Sequence, residues 1–577
     1  MRRVLSGQGA SRGGALGRAR VRLPHALDVV EDRIEPELVE AEVARMHAAV
    51  DAVREEMHAL RDRLHGALAH EVGEFLDLHA LLLDDPELLA GLEGLIRTGR
   101  YTADYALRLQ RDRIAAVFDG MDDAYLRSRI DDIDQVVGRL HAALHRREAE
   151  LQGIAGDILV TDSVAPTELA QLHAQGVLAV VTAGGSPLSH TSILARSLHV
   201  PLVIGAAQAL QKVNDGDVLA VDGGSGLVIL EPNADDLRAH QGRMREYARE
   251  RKQLHRLRRE PTRTLDGVDI KLWANAESRE DVAEAHALGA AGVGLYRTEF
   301  LFMHRPAELR HTLPDEEEQF RAYRDLVLGM TGRTVTIRTL DIGADKADST
   351  GLALTDEPNP ALGLRGVRLS LARIDLFRTQ LRAILRASGY GPLRVLVPMV
   401  SGREELLAVR TLLRDVQREL RAEGQAMAEH VPVGAMIEVP SAAIALQTFI
   451  ADTDFLSIGT NDLVQYLLAA DRTNEALGDL YSPLHPAVLR LLFDVIRAAR
   501  TQKKPVAVCG EIAGDPLFAP VLLALGLEEF SLHPGTLLEV RRAIRGLDLS
   551  ALRSRAAILL RARDRAGIER WLARVAT

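Results

Sequence analysis

A histidine that follows a glycine pair and stands at the start of a helix is placed for phosphate chemistry. In VLAVVTAGGSPLSHTSILARSLHVPLVIG, residues 177–205, His190 holds that place. Val177–Val181 is a short apolar run of β-formers, Gly184-Gly185 breaks it, and Ser189-His190-Thr191 opens a helix-like segment, Ser192–Leu198. The first N–H groups of a helix are unpaired and sit at the positive end of its dipole, so an anion is welcome there. Imidazole is a nucleophile near neutral pH and can carry a phosphoryl group on a ring nitrogen. The chain has 19 histidines, most of them expected to be surface or structural, so the reading leans on a second constellation.

That constellation lies at the ends of apolar β-type runs. It comprises Arg297 after Gly294-Leu295-Tyr296, Arg338 and Asp341 in IRTLDIGADK, Arg365 in NPALGLRGVR and Glu438 in GAMIEVP. Asn461-Asp462 follow in SIGTNDLVQY, Arg472 in DRTN and Cys509 in VAVCGE. Several arginines suit a substrate with phosphate and carboxylate groups, because each guanidinium clamps two oxygens. Two carboxylates on neighbouring strands suit one Mg²⁺, a hard ion with oxygen ligands. Taken singly, these arginines are surface ion pairs, the acids are helix caps and the cysteine is packing. Together, all at strand ends, they point to one site.

The elements that must position them come next. At 577 residues the chain is too long for one core and predicts about three or four domains. Residues 1–26 read as strand-turn-strand over Val4–Val21, and 27–144 as amphipathic helices at Leu38–Leu68, Glu71–Leu83, Asp104–Phe118 and Ala124–Leu144. β-type sequence returns from 145 to 233, with a hairpin signal at Asp222-Gly223-Gly224, so the helical block reads as an insertion into one β/α domain. Residues 234–262 read as a charged, exposed connector helix.

From 263 to 577 strands and helices alternate. Eight strands are expected at Val268–Trp273, Gly292–Tyr296, Thr334–Leu340, Leu393–Met399, Val433–Glu438, Phe455–Ile458, Val506–Cys509 and Glu528–Leu532, with Asp315 and Glu318 as a capping box. Eight βα units predict a (β/α)8 barrel, with a doubly wound sheet as the alternative. The expected class is therefore multidomain α/β. The single cysteine excludes an intrachain disulfide and a zinc cluster, and a net charge of −10 argues against nucleic acid as main partner while suiting a basic protein. No apolar run is long enough to cross a membrane and no signal core follows Arg2-Arg3, so a cytoplasmic location is expected.

The motifs SHTSILARS, GLYRTEF, TIRTLDIGADK, IEVPSA, SIGTNDLVQY, DRTN and VCGEIAGD resemble those of Enzyme I of the bacterial phosphotransferase system, over nearly the whole chain. The resemblance implies a swivelling phosphohistidine domain, an inserted helical domain that docks the histidine-containing phosphocarrier protein, and a barrel that binds phosphoenolpyruvate and Mg²⁺ and makes a homodimer. By motif match, His190 is the phosphorylated residue and Cys509 the proton donor. Glu438 and Asp462 match metal ligands, and Arg297, Arg338, Arg365, Asn461 and Arg472 match phosphoenolpyruvate contacts. In LHALLLDDPEL, Asp84, Asp85 and Glu87 match acidic contacts for the carrier. The chain departs from the family at Ser186-Pro187-Leu188, at Ala165 in place of threonine, and at Ala344 in place of glycine. Two alternatives stand beside this reading. One is a nitrogen-related paralogue, ranked lower because the chain starts directly in the phosphohistidine domain. The other is a non-catalytic phosphoenolpyruvate-sensing scaffold.

Overall fold

The computed structural model describes every residue except 1, 23–30, 64–82, 84, 85, 120–132, 134, 135, 142, 146–153, 186–188, 304–311, 344–356, 358, 473–476, 478, 479, 576 and 577. It divides into two compact units, Met1–Arg251 and Lys252–Thr577.

The first unit is built on an eight-stranded mixed sheet. Its strands are β1 (Arg3–Ser6), β2 (Gln8–Ser11), β3 (Gly14–Val21), β4 (Asp157–Thr161), β5 (Ala179–Thr182), β6 (Leu202–Ile204), β7 (Val218–Asp222) and β8 (Leu227–Leu230). They lie in the order β1-β8-β7-β3-β4-β5-β6-β2. β3 to β6 run parallel, and the outer pairings are antiparallel. Central strands such as DILVT and AVVT are near-continuous apolar runs because both faces are covered. β3 pairs directly with β4, Arg18 against Asp157, so the helical segment leaves one strand and returns at its neighbour.

That segment contains the helices Val39–Arg63, Pro86–Gly99 and Ala103–Asp119, with further helical residues within 133–144. Val43, Met46, Val50, Val53 and Met57 recur at three- and four-residue spacing, and this stripe is buried with Leu92, Ile96, Leu107, Val137 and Leu140. Each such side chain stabilises the bundle by about 1.5–3 kcal/mol on burial. Of the expected Glu71–Leu83 helix, only Leu83 is among the described residues.

The connector helix runs Ala234–Arg256 and is not wholly exposed. His240 is buried, Arg243 pairs with Asp222 at 2.7 Å and the Tyr247 hydroxyl donates to the same carboxylate at 3.0 Å. A polar and aromatic row seats the helix on the hairpin, which an apolar-stripe reading does not detect.

The second unit is a closed, all-parallel barrel. Its strands are β9 (Lys271–Ala276), β10 (Val293–Tyr296), β11 (Val335–Arg338), β12 (Leu393–Val397), β13 (Val433–Ile437), β14 (Phe455–Ile458), β15 (Val506–Val508) and β16 (Glu529–Leu532), and β16 pairs back onto β9. The doubly wound alternative is thereby replaced. β9 starts three residues later than the sequence predicts, because Arg263 and Asp269 bridge antiparallel around a turn at Gly267 (φ +86°). Strand residues alternate between two cores. Ile337, Val395, Ala435, Ile458 and Val508 pack in the large core with the surrounding helices, whereas Leu295, Leu396, Met436, Phe455 and Cys509 form a small separate one. Asp315 caps the Glu316–Gly329 helix by accepting from the Glu318 N–H at 2.8 Å, one half of the expected box.

Candidate functional site

The C-terminal ends of the barrel strands carry a continuous ion-pair network. Arg338, the last residue of β11, pairs with Glu299 at 3.1 Å and with Asp341 at 3.1 Å. Asp341 in turn holds Arg365 by two contacts, 2.9 and 3.1 Å, and Arg365 reaches Asp462 at 3.4 Å and the Tyr466 hydroxyl at 3.3 Å. Burial works against both guanidinium charges, but Glu299 and Asp341 beside Arg338, and Asp341 and Asp462 beside Arg365, more than offset it and hold both pKa values above the ordinary range. Both cations therefore stay charged and are fixed in orientation by their carboxylate partners.

Glu438 follows β13 and is 1% exposed. One of its oxygens accepts from the Met399 N–H at 2.6 Å. A Cβ on Gly459 would lie 2.7 Å from the other, so glycine after β14 is what lets this carboxylate approach the backbone. Burial first, then the nearby Asp462 and Asp341, push its carboxyl up to about 8. A buried carboxylate facing further carboxylates is short of positive charge, and an oxygen-only donor set of this kind fits a hard divalent cation. Glu438 and Asp462 are the residues that would hold it.

Cys509 follows β15 and is buried, its thiol 3.4 Å from the Ile458 carbonyl. Burial pushes the thiol up to about 11, and the charges of Glu438, Arg338 and Arg297 all bear on it. It therefore keeps its proton at neutral pH, the state of a donor rather than a nucleophile. Arg297, after β10, pairs with Glu277 at 2.5 Å. Asn461 sits in the first turn of the Thr460–Leu468 helix and exchanges two hydrogen bonds with Glu511, at 2.9 and 3.0 Å. Arg472 is exposed and outside the ion-pair network; its charge reaches Tyr481, whose hydroxyl donates to the Asn461 carbonyl at 3.1 Å.

The structure thus brings Arg338, Arg365, Asp462, Glu438 and Cys509 into one electrostatic neighbourhood. Sequence reasoning passed over Glu299 and Tyr466. Both were signalled by spacing: Glu299 lies two residues past Arg297, and Tyr466 one helical turn past Asp462.

In the first unit the helix begins at His190 itself, two residues earlier than the sequence reading had it, and runs to Ser197. Ser189 is the N-cap, its side chain accepting from the Ser192 N–H at 3.3 Å. Thr191 donates to the Val164 carbonyl at 2.8 Å, tying this turn to the segment before β5. Ala165 caps the Pro166–Ala174 helix without a side-chain bond, as a methyl group must. The loop 186–188, Ala344, Asp84 and Asp85 lie outside the described residues; Glu87 falls in the first turn of the Pro86–Gly99 helix.

Three family models match the chain. They are the PEP-utilising enzyme PEP-binding domain over residues 251–549, the PEP-utilising enzyme N-terminal domain over 6–129 and the PEP-utilising enzyme mobile domain over 153–226. The chain is 45% identical over 553 residues to a phosphoenolpyruvate-protein phosphotransferase of Cupriavidus necator, covering 94% of each. It is 40% identical to one of Bacillus sp. (strain S), over 94% of this chain and 93% of that one, and 38% identical to one of Staphylococcus aureus, over 95% of each.

Proposed function

The chain belongs to the phosphoenolpyruvate–protein phosphotransferase family, and from that premise we propose how its residues divide the reaction. It is a phosphotransferase enzyme of the Enzyme I kind, which displaces the scaffold reading. The nitrogen-related paralogue is not favoured, because relatives matched over nearly their full length carry the general phosphotransferase name.

Arg297, Arg338, Arg365, Asn461 and Arg472 bind the phosphate and carboxylate of phosphoenolpyruvate. Glu438 and Asp462 would hold Mg²⁺, which would supply positive charge to offset that of the phosphoryl group. The arginines stabilise negative charge where it develops, on the phosphoryl group and the departing enolate. A ring nitrogen of His190 attacks phosphorus, forming the N–P bond as the bond to the enol oxygen breaks. Cys509 then gives its proton to the enolate carbon, yielding pyruvate, and regains one from solvent. Phosphohistidine passes its phosphoryl group to the histidine-containing phosphocarrier protein, docked against Asp84, Asp85 and Glu87. His190 lies in the first unit and the arginines in the second, so a change of domain arrangement must alternate the two encounters. This is the first step of a sugar phosphotransferase system, run by a cytoplasmic homodimer joined through the barrel.

The observation that carries the reading is the Arg338–Asp341–Arg365–Asp462 chain of ion pairs beside buried Glu438. Intact-mass measurement after incubation with Mg²⁺ and phosphoenolpyruvate tests it. One added phosphate with pyruvate release, abolished in His190→Ala, is expected; an unchanged mass in the parent chain sinks the proposal.

A further inference from the structure

Three helices of the inserted bundle meet at a single carboxylate. Asp104, the second residue of the Ala103–Asp119 helix, is 8% exposed. Its Oδ2 accepts from Arg45 on the Val39–Arg63 helix at 2.7 Å. Its Oδ1 faces two imidazoles, the His145 Nε2 at 2.9 Å and the His141 Nε2 at 3.8 Å. The two histidines belong to HAALH, four residues apart and so on one side of the helical stretch that carries Leu140 and Leu144 into the bundle core.

We propose that Asp104, His141 and His145 form a binding site for a late first-row divalent cation, Zn²⁺ foremost. The ligand atoms all lie within 4.8 Å of one another. A tetrahedral ion at about 2.0–2.1 Å from each ligand wants them about 3.4 Å apart, and the two separations to Asp104 fall on either side of that value. His145, with 39% of its side chain exposed, can make the remaining adjustment by rotating, and solvent on its side supplies the fourth ligand. Two nitrogens and one oxygen select zinc, nickel, copper or cobalt over Mg²⁺, which prefers oxygen alone.

The surroundings are those of a supported site. A ligating carboxylate normally has its second oxygen held by an outer hydrogen bond. Arg45 supplies that bond and is itself anchored by Glu42 at 2.7 Å, whose same oxygen also accepts from the Ala103 N–H at 2.7 Å. An ion pair between His145 and Asp104 accounts for one imidazole, whereas a bound cation uses both of the ring nitrogens that face Oδ1. The lone cysteine rules out a thiolate cluster but not a site of imidazole and carboxylate. A bound ion would pin the Asp104 helix to the HAALH helix, and through Arg45 to the Val39–Arg63 helix, bracing the bundle.

The test uses the full chain, stripped with chelator and held in excess Mg²⁺ so that Glu438 and Asp462 are not available to the probe. Titration with Co²⁺ is expected to give one ion per chain, with the intense visible absorption of a nitrogen-containing four- or five-coordinate site, displaced by Zn²⁺. His141→Ala and His145→Gln should each weaken binding at least tenfold, and Arg45→Gln roughly tenfold. Glu438→Gln should leave the signal in place. Weak octahedral absorption, unchanged affinity in both histidine variants, or loss of the signal in Glu438→Gln overturns the site. Should His141→Ala fail to fold by circular dichroism, His145→Gln, at the more exposed of the two positions, decides the matter.

Discussion

At the scale of single residues, burial sets the chemistry of the barrel mouth. Cys509 has a thiol raised from 9.0 to about 11 by burial, so the folded protein favours its protonated form. Its contribution to stability is complete below pH 9 and is lost as pH rises toward 11, because the unfolded thiol ionises first. Denaturant unfolding of the parent should therefore lose stability over that window relative to Cys509→Ser; parallel curves across it would show that the thiol is not shielded. Arg338 is harder to remove. It is the partner of both Glu299 and Asp341, whose side chains are 7% and 1% exposed, so Arg338→Met leaves buried Glu299 without its guanidinium and Asp341 with Arg365 alone. A loss of about 3–5 kcal/mol in the barrel's unfolding free energy is expected, read by denaturant titration. A loss below 1 kcal/mol means water reaches these carboxylates.

At the scale of elements, helix starts and glycines fix where functional atoms stand. Ser189 caps the helix that opens at His190, and Ser189→Ala should cost the first unit about 1 kcal/mol, seen as a lower melting temperature by calorimetry. No shift would mean that another group satisfies the Ser192 N–H. Gly459 has a negative φ (−85°), so alanine there is not forced into the left-handed region; the conflict is the 2.7 Å approach to Glu438. Gly459→Ala should weaken Mg²⁺ binding by roughly tenfold, measured as the Mg²⁺ dependence of pyruvate release. Equal Mg²⁺ dependence would remove Glu438 from the ligand set.

At the scale of the molecule, the proposed reaction draws residues from two units with separate hydrophobic cores. Lys252–Thr577 alone should bind phosphoenolpyruvate with Mg²⁺ by calorimetric titration yet release no pyruvate, since the nucleophile lies elsewhere. Met1–Arg251 alone should gain no phosphate from phosphoenolpyruvate by intact mass. Pyruvate release by the isolated barrel would break the link to His190.

Much of this was legible from the chain alone. Apolar runs spaced through residues 263–577 announced eight strands, because parallel strands covered on both faces must be apolar throughout, and the candidate site residues stand just past those runs. The hairpin at Asp222 and the helix start beside His190 were visible because glycine and capping residues act locally. What the sequence could not state is which strand lies beside which, and hence that Arg338, Asp341, Arg365 and Asp462 form one chain of charges. The seat of the connector helix on Asp222 and the meeting of Asp104 with His141 and His145 were equally hidden. Those facts depend on closure of the sheet and the packing of helices distant in sequence, and periodicity records only which face of an element is buried, never what it is buried against.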